Sequence, residues 1–329
     1  IARAAGYSNF FEDIMSPREF NYLSEDIVPV LVNVRPFGNY SMVDIDEKGG
    51  IQVVVKELLN AGLLNGETLT CTGETLAQQV DRLNPPLPDG SVIYSVKMPY
   101  KDTGGLRILG GNLSSEHTAV LKLAGLEGGL ENNVFTGKAR VFDGEPALLN
   151  ALENEPQIFK DHDMVIVRYE GPSGSPGMPE MLDSTSRITT LCRQQGIVVG
   201  LMTDARFSGG SVGLVIGHVG PEAAIGGEIG LIEDGDKIIV DLNTNEINCV
   251  EISDDAILNK RKSIWLKTVA SNGGTHPSLG IADTRLLNRM RHSAVSAKFG
   301  AGMHPNKELW VSEPRDPLET SFSPSNKFR

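Results

Sequence analysis

A hydroxyl set among glycines is the arrangement in this chain best suited to chemistry: Asp204-Ala205-Arg206-Phe207-Ser208-Gly209-Gly210-Ser211-Val212-Gly213. Ahead of it runs Gly196-Ile-Val-Val-Gly-Leu-Met-Thr203, a short apolar run rich in β-branched residues that reads as a buried strand. The strand ends at Asp204, and a glycine-dense turn then carries Ser208 at its tip. Glycine opens backbone angles closed to other residues and lets a ligand approach the main chain. Such a turn presents the hydroxyl beside the N–H groups of Gly209 and Gly210, which can hold a carboxylate or an oxyanion. The same residues also describe a tight turn whose serine only satisfies the backbone.

A second loop, Tyr169-Glu-Gly-Pro-Ser-Gly-Ser-Pro-Gly-Met-Pro-Glu180, follows the expected strand 164–169 and precedes a helix, so it lies at the same kind of strand end. Three glycines and three prolines in eleven residues fix a loop shape at the expense of regular structure. Glu180, where the loop enters the helix, is either a first-turn residue favoured by the helix dipole or a ligand for a hard cation such as Mg²⁺. A third loop, Thr103 to Leu113, reads as tight turns. His218, between Val215-Ile-Gly and Val219, reads as a satisfied core histidine, and His276, His292 and His304 have no ligand spacing. The phosphate-binding loop, the dinucleotide fingerprint, GxSxG and HExxH are all absent.

These loops need a scaffold. Ile27–Val34 is strand-like, Ile51–Gly62 has helical apolar spacing, and 71–83 reads as a helix with Thr72 as its cap. Asn84-Pro-Pro-Leu-Pro-Asp-Gly90 is a proline-rich connector that puts a domain boundary near residue 100. Beyond it, short strands are expected at 106–109, 119–123, 138–142, 164–169, 196–203, 229–232 and 237–241, with a hairpin turn at Gly235. Helices are expected at 145–154, 183–195, 254–269 and 284–297. The fold class is therefore α/β plus mainly-β: residues 1–100 end an α/β domain, 101–304 form a β-barrel-like domain with flanking helices, and 305–329 form an extended, polar tail. Ile1–Gly6 reads as the last turns of a helix, as if cut from something longer.

The 329 residues carry a net charge of −12, which argues against nucleic acid or an anionic membrane as partner. An anionic substrate must then be held by local donors or a metal. Three widely spaced cysteines, Cys71, Cys192 and Cys249, suit a reducing compartment rather than a disulfide framework or a self-contained zinc site. No apolar run approaches the ~20 residues of a membrane span, and no signal peptide is expected.

Taken together the motifs resemble the carboxy-terminal half of the dihydroxy-acid dehydratase and phosphogluconate dehydratase family. The resemblance rests on Leu31–Met42, Gly49-Gly50, Leu69–Leu76, Gly111-Asn-Leu113, Ala139–Phe142 and Arg168–Pro172. It continues through Pro176-Gly-Met-Pro-Glu-Met-Leu182, Thr203-Asp-Ala-Arg-Phe-Ser-Gly-Gly-Ser211, Gly217-His-Val219 and Pro221–Ala224. It implies a lyase that removes water from a 2,3-dihydroxy acid to give a 2-keto acid. It also implies Ser208 as alkoxide base, Gly209 and Gly210 at the substrate, and Glu180 as a Mg²⁺ ligand. An iron–sulfur cluster is implied as Lewis acid, with its ligands in an amino-terminal region outside this chain. None of the three cysteines matches a cluster ligand, so the 329 residues alone are expected to be inactive.

The turn after Ser208 looks more like the branched-chain enzymes than the sugar-acid ones, although Asp102–Leu106 would suit either. A cluster-less binding subunit is the alternative of another class. A homodimer in the cytoplasm, or an organelle matrix in a eukaryote, completes what the resemblance implies.

Overall fold

The computed structural model describes residues 15–303 except Pro36, 123–128, 209–210, 212 and 280–283. The helix expected at Ile1–Gly6 and the tail 305–329 lie outside the described residues, as do Gly209 and Gly210. The chain divides into two compact units, Asn21–Leu106 and a second that runs on from Arg107.

In the first unit Ile45, Val53, Val92 and Ile93 form a small core. The helices α1 (Met42–Glu47), α2 (Ile51–Asn60) and α3 (Leu76–Leu83) belong to it. The expected strand 27–34 is reduced to isolated bridges at Val30, Val32 and Val34. Helix α3 starts later than expected. Its cap is Thr75, whose hydroxyl accepts from Gln78 N–H while the Gln78 side chain accepts from Thr75 N–H, so the pair satisfies two donors at once. Thr72 hydrogen-bonds Thr70 and Glu74 instead.

Among the described residues the second unit is built on eight strands: β1 (Leu106–Leu109), β2 (Ala119–Lys122), β3 (Val134–Asp143), β4 (Asp163–Arg168), β5 (Gly200–Thr203), β6 (Val215–Gly217), β7 (Lys237–Asp241) and β8 (Glu246–Cys249). They lie in the order β1-β2-β6-β5-β4-β3-β7-β8. Gly110, just past β1, bridges Glu246 at the start of β8, so the two outer strands meet and the sheet closes into a barrel. The mixed α/β architecture with a barrel-like sheet and flanking helices is the class expected from the sequence.

Strands β3 to β6 are mutually parallel; helix α4 (Glu145–Asn154) joins β3 to β4 and α5 (Leu182–Gln195) joins β4 to β5, while β5 runs to β6 through the stretch 204–214. Parallel neighbours need such crossovers. Alternation along β4 shows how the layers are filled. Met164 and Ile166 point into the barrel with Phe135, Met202, Ile216 and Val240. Val165 and Val167 pack outward with Leu148, Leu152, Ile188 and Leu191 of the covering helices. Both faces are buried, which is why β4 reads as an unbroken apolar run.

Three expectations fail here. Ile229–Ile232 is not a strand; Glu228–Leu231 is a 3₁₀ turn, since so short an apolar run has no period to distinguish the two. Gly235 therefore joins no hairpin, and the hairpin lies between β7 and β8 with Asn245 at φ +57°. Strands β6 and β8 were not expected. Helices α6 (Asp255–Ser271), capped by Asp254, and α7 (Arg285–Ser293), capped by Thr284, close the unit. No helix among the described residues is long and apolar enough to cross a membrane.

Candidate active site

Parallel strands deliver their loops to one end, the usual place for a ligand in α/β sheets. Here β4 stops at Arg168, β5 at Thr203 and β6 at Gly217, so the loops 169–181, 204–214 and 218–223 gather beyond them. All three are held by two carboxylates buried almost completely, Asp204 at 1% exposure and Glu222 at 2%.

Asp204 accepts from the N–H groups of Tyr169 (3.1 Å), Glu170 (3.0 Å) and Ala223 (3.0 Å). Glu222 accepts from Ser173 N–H at 2.8 Å and from Gly174 N–H at 3.4 Å. Tyr169 turns the chain at φ +68° to aim these donors inward. Gly171 lets Glu222 approach, because a Cβ there would stand 2.5 Å from Glu222 Oε2. Burial pushes Asp204 up to about 6 and Glu222 up to about 8, and the Asp204 charge adds to the rise at Glu222. No cation neutralises either in these contacts; backbone dipoles do the holding.

The turn after Asp204 is pinned on both sides. His218 N–H donates to the Ala205 carbonyl at 2.8 Å, and Thr118 Oγ1 donates to the His218 carbonyl at 2.8 Å. His218, expected as a satisfied core histidine, is half-buried, with burial first and Arg206 second holding its pKa down. Arg206 Nε donates to the Met178 carbonyl at 3.1 Å, and Glu180 and Arg206 form a parallel backbone bridge. The structure thus sets the Glu180 loop alongside the Ser208 turn, with Ser208 two residues beyond the bridge. Glu180 is exposed and Ser208 half-buried. A groove of about 580 Å³ runs along the same loop, walled by Glu145, Glu170, Ser175, Met178, Leu287 and Arg291; neither Glu180 nor Ser208 is a wall of it.

Sequence reasoning gave no role to Lys122, Glu222 or His276. Lys122 Nζ donates to the carbonyls of Ser208 (3.3 Å) and Ser211 (2.7 Å). His276 stacks on Tyr169 with centroids 4.6 Å apart and on Trp265 at 5.9 Å, so it supports the Tyr169 turn from behind. Only Glu222 had a signal, its place in the Pro221–Ala224 motif.

An exposed carboxylate at a loop end suits Mg²⁺, which takes few protein oxygens and keeps waters. Glu180 can supply one such oxygen. The one group of three ligand-type side chains found together among the described residues is Asp236, Cys249 and Glu251. Arg261 already occupies it, with Nη1 2.5 Å and Nη2 3.0 Å from the Asp236 oxygens, so it is an ion pair and not a vacant metal site. An iron–sulfur cluster does not fit the described residues. Cys249 is buried between acidic groups with its thiol pushed up to about 12, and Cys192 is half-buried on α5 with its thiol also pushed up by burial. Thiolate ligands need the opposite environment.

The chain belongs to the dihydroxy-acid and 6-phosphogluconate dehydratase family. Residues 91–301 match the family's C-terminal domain and residues 4–79 its N-terminal domain. It is 44% identical over 265 residues to a dihydroxy-acid dehydratase of Acidothermus cellulolyticus, covering 80% of this chain and 44% of that protein. A dihydroxy-acid dehydratase of Nocardioides sp. is 46% identical over 249 residues, 75% of this chain and 42% of the relative. One from Pyrobaculum aerophilum is 42% identical over 264 residues, 80% of this chain and 44% of the relative. The chain therefore spans less than half the length of these relatives.

Proposed function

We propose that this chain is the carboxy-terminal part of a hydro-lyase that converts a 2,3-dihydroxy acid into a 2-keto acid, with Ser208 as base. The observation that carries the reading is the bridge between Glu180 and Arg206, which sets a metal-capable carboxylate and the Ser208 turn side by side at the carboxyl end of the parallel strands. Ser208 Oγ takes the C2 proton and the C3 hydroxyl departs with its bonding electrons. The departing hydroxide takes up the proton collected by Ser208 and leaves as water, while the enol gains a proton at C3 and gives up the one on its C2 hydroxyl to become the 2-keto acid; the sum is loss of one water. A serine hydroxyl removes such a proton only when nearby positive charge favours its alkoxide.

Glu180 would hold Mg²⁺ at the substrate's carboxylate end, where the ion supplies Lewis acidity. Gly209 and Gly210 would supply N–H donors to the substrate. The reading places the iron–sulfur cluster outside this chain, and no step here is drawn through it. Residues 1–100 would complete an α/β cluster domain and 101–304 would form the serine-bearing barrel, in a homodimeric enzyme of the cytoplasm or an organelle matrix. The relatives are named dihydroxy-acid dehydratases, which supports a dihydroxy acid as the substrate class; a branched-chain acid is the reading taken from the turn after Ser208. The test is Ser208→Ala in the full-length enzyme, assayed with one branched dihydroxy acid and one aldonic acid. Turnover is expected to fall by about 10³-fold or more with the melting temperature unchanged. Turnover that survives the substitution rejects Ser208 as base.

A further inference from the structure

Strand β2 ends on Lys122, which sits opposite Val215 of the antiparallel neighbour β6. The turn that carries Ser208 runs into β6, so a long side chain at the end of β2 can reach across it. Lys122 does so: its Nζ lies 2.7 Å from the Ser211 carbonyl and 3.3 Å from the Ser208 carbonyl. The ammonium therefore grips both ends of the Ser208–Ser211 turn. Ser211 N–H also donates to the Ser208 carbonyl at 3.3 Å, which closes the turn on itself.

Structure alone gives little reason for a lysine here. A turn needing two donors can be closed by a neutral amide, without taking a cation partly out of water. Burial holds the Lys122 pKa below its ordinary value. Ser211 is fully buried and its hydroxyl has no hydrogen-bond partner among the described residues, so a polar group is left over on the residue whose carbonyl the ammonium holds. Tight turns built only for support do not leave such groups buried.

Resting on the reading of Ser208 as base, we propose that Lys122 is a positioning residue for it: the ammonium holds the Ser208 and Ser211 carbonyls and sets a positive charge 3.3 Å from the backbone of the residue that carries the hydroxyl. A unit charge a few ångströms away in a partly dry site favours an oxyanion by about two pKa units. Among the described residues, the charged or titratable groups on the adjoining elements are Arg206, two residues before Ser208, His218 just after β6, and Glu180, whose backbone bridges Arg206. His218, with its pKa held down by burial and by Arg206, stays neutral above pH 7 and adds no charge.

The experiment compares Lys122→Met, Lys122→Gln, Lys122→Arg and Ser208→Ala in the full-length enzyme, following kcat, KM and melting temperature from pH 6 to 10. Loss of charge in Lys122→Met should lower kcat by about 100-fold, with KM changed less than about threefold. The rise of kcat with pH should move upward by about one to two units. Lys122→Arg should restore kcat to within about tenfold and return the profile. Lys122→Gln keeps donors without charge, so it should fold even if the Met variant does not, and should show the same displaced profile. Wild-type kcat and profile in Met or Gln, or equal slowing in Arg and Gln with an unmoved profile, overturns the proposal. If Ser208→Ala itself keeps full turnover, the base assignment fails, and it does so independently of the Lys122 results.

Discussion

Two buried aspartates at opposite ends of the barrel solve the same problem in opposite ways. Asp204 follows β5, at the end where the parallel strands finish. Asp236 precedes β7, whose first residue Lys237 pairs with Lys138, itself opposite the first residue of β4, so it lies at the end where those strands begin. Asp236 has a guanidinium as partner: Arg261, which also pairs with the exposed Glu233, forks onto both Asp236 oxygens, and that hydrogen bond offsets the larger cost of burial to leave the carboxyl below its ordinary range. Asp204 has three backbone N–H groups and a second buried acid, Glu222, and its carboxyl is driven up. One end is closed by charge neutralisation. The other tolerates uncompensated acid so that three loops can converge, and that is the end carrying the candidate site.

The largest effect should come from splitting the neutralised pair. Arg261→Met leaves Asp236 buried without its partner and is expected to cost about 3 kcal/mol or more in unfolding free energy. A denaturant titration showing less than 1 kcal/mol would mean that the two ends are not different in kind. Next comes Asp204→Asn, which turns an NH₂ toward backbone donors and should cost about 2 kcal/mol. It should also raise amide exchange at Tyr169, Glu170 and Ala223 before that of residues in β7.

The pH dependences should then have opposite signs. Asp204 and Glu222 bind protons more tightly folded than unfolded. The stability they contribute is full below about pH 4 and is lost as pH rises through about 6 and then about 8. Asp236 binds protons less tightly folded, so its contribution is present above about pH 4 and lost as pH falls below that. Melting temperatures at pH 5, 6.5 and 8 should decline for the wild type, and Glu222→Gln should flatten the upper part of that decline. An unchanged slope in the Gln variant would remove Glu222 from this account. The smallest effect is chemical. Cys249, buried with its thiol pushed up to about 12, should resist alkylation at pH 8 while exposed Cys71 reacts; labelling followed by peptide mapping reads both.

The two loops that matter were legible because their residue types carry chemistry in short order: a serine among glycines, and a glutamate ending a run of glycine and proline. The barrel class was legible from many short strands, and β3 to β5 from their β-branched runs. What was hidden was what pairing creates. Nothing in Ala119-Val-Leu-Lys122 says that its lysine reaches a turn almost ninety residues on, since that depends on β2 lying antiparallel to β6. Strand β6, three residues long, was read as the surroundings of His218. Asp204 was seen only as a strand end, because its three partners come from two other loops.

The bridge between Gly110 and Glu246 makes a ring of what would otherwise be a sheet with two raw margins. A ring has no partial form: until the segment through Cys249 exists, β1 and β3 each present an unmatched row of peptide groups. A ribosome-bound chain shorter than that carries every strand of the parallel half and still has two adhesive borders to guard.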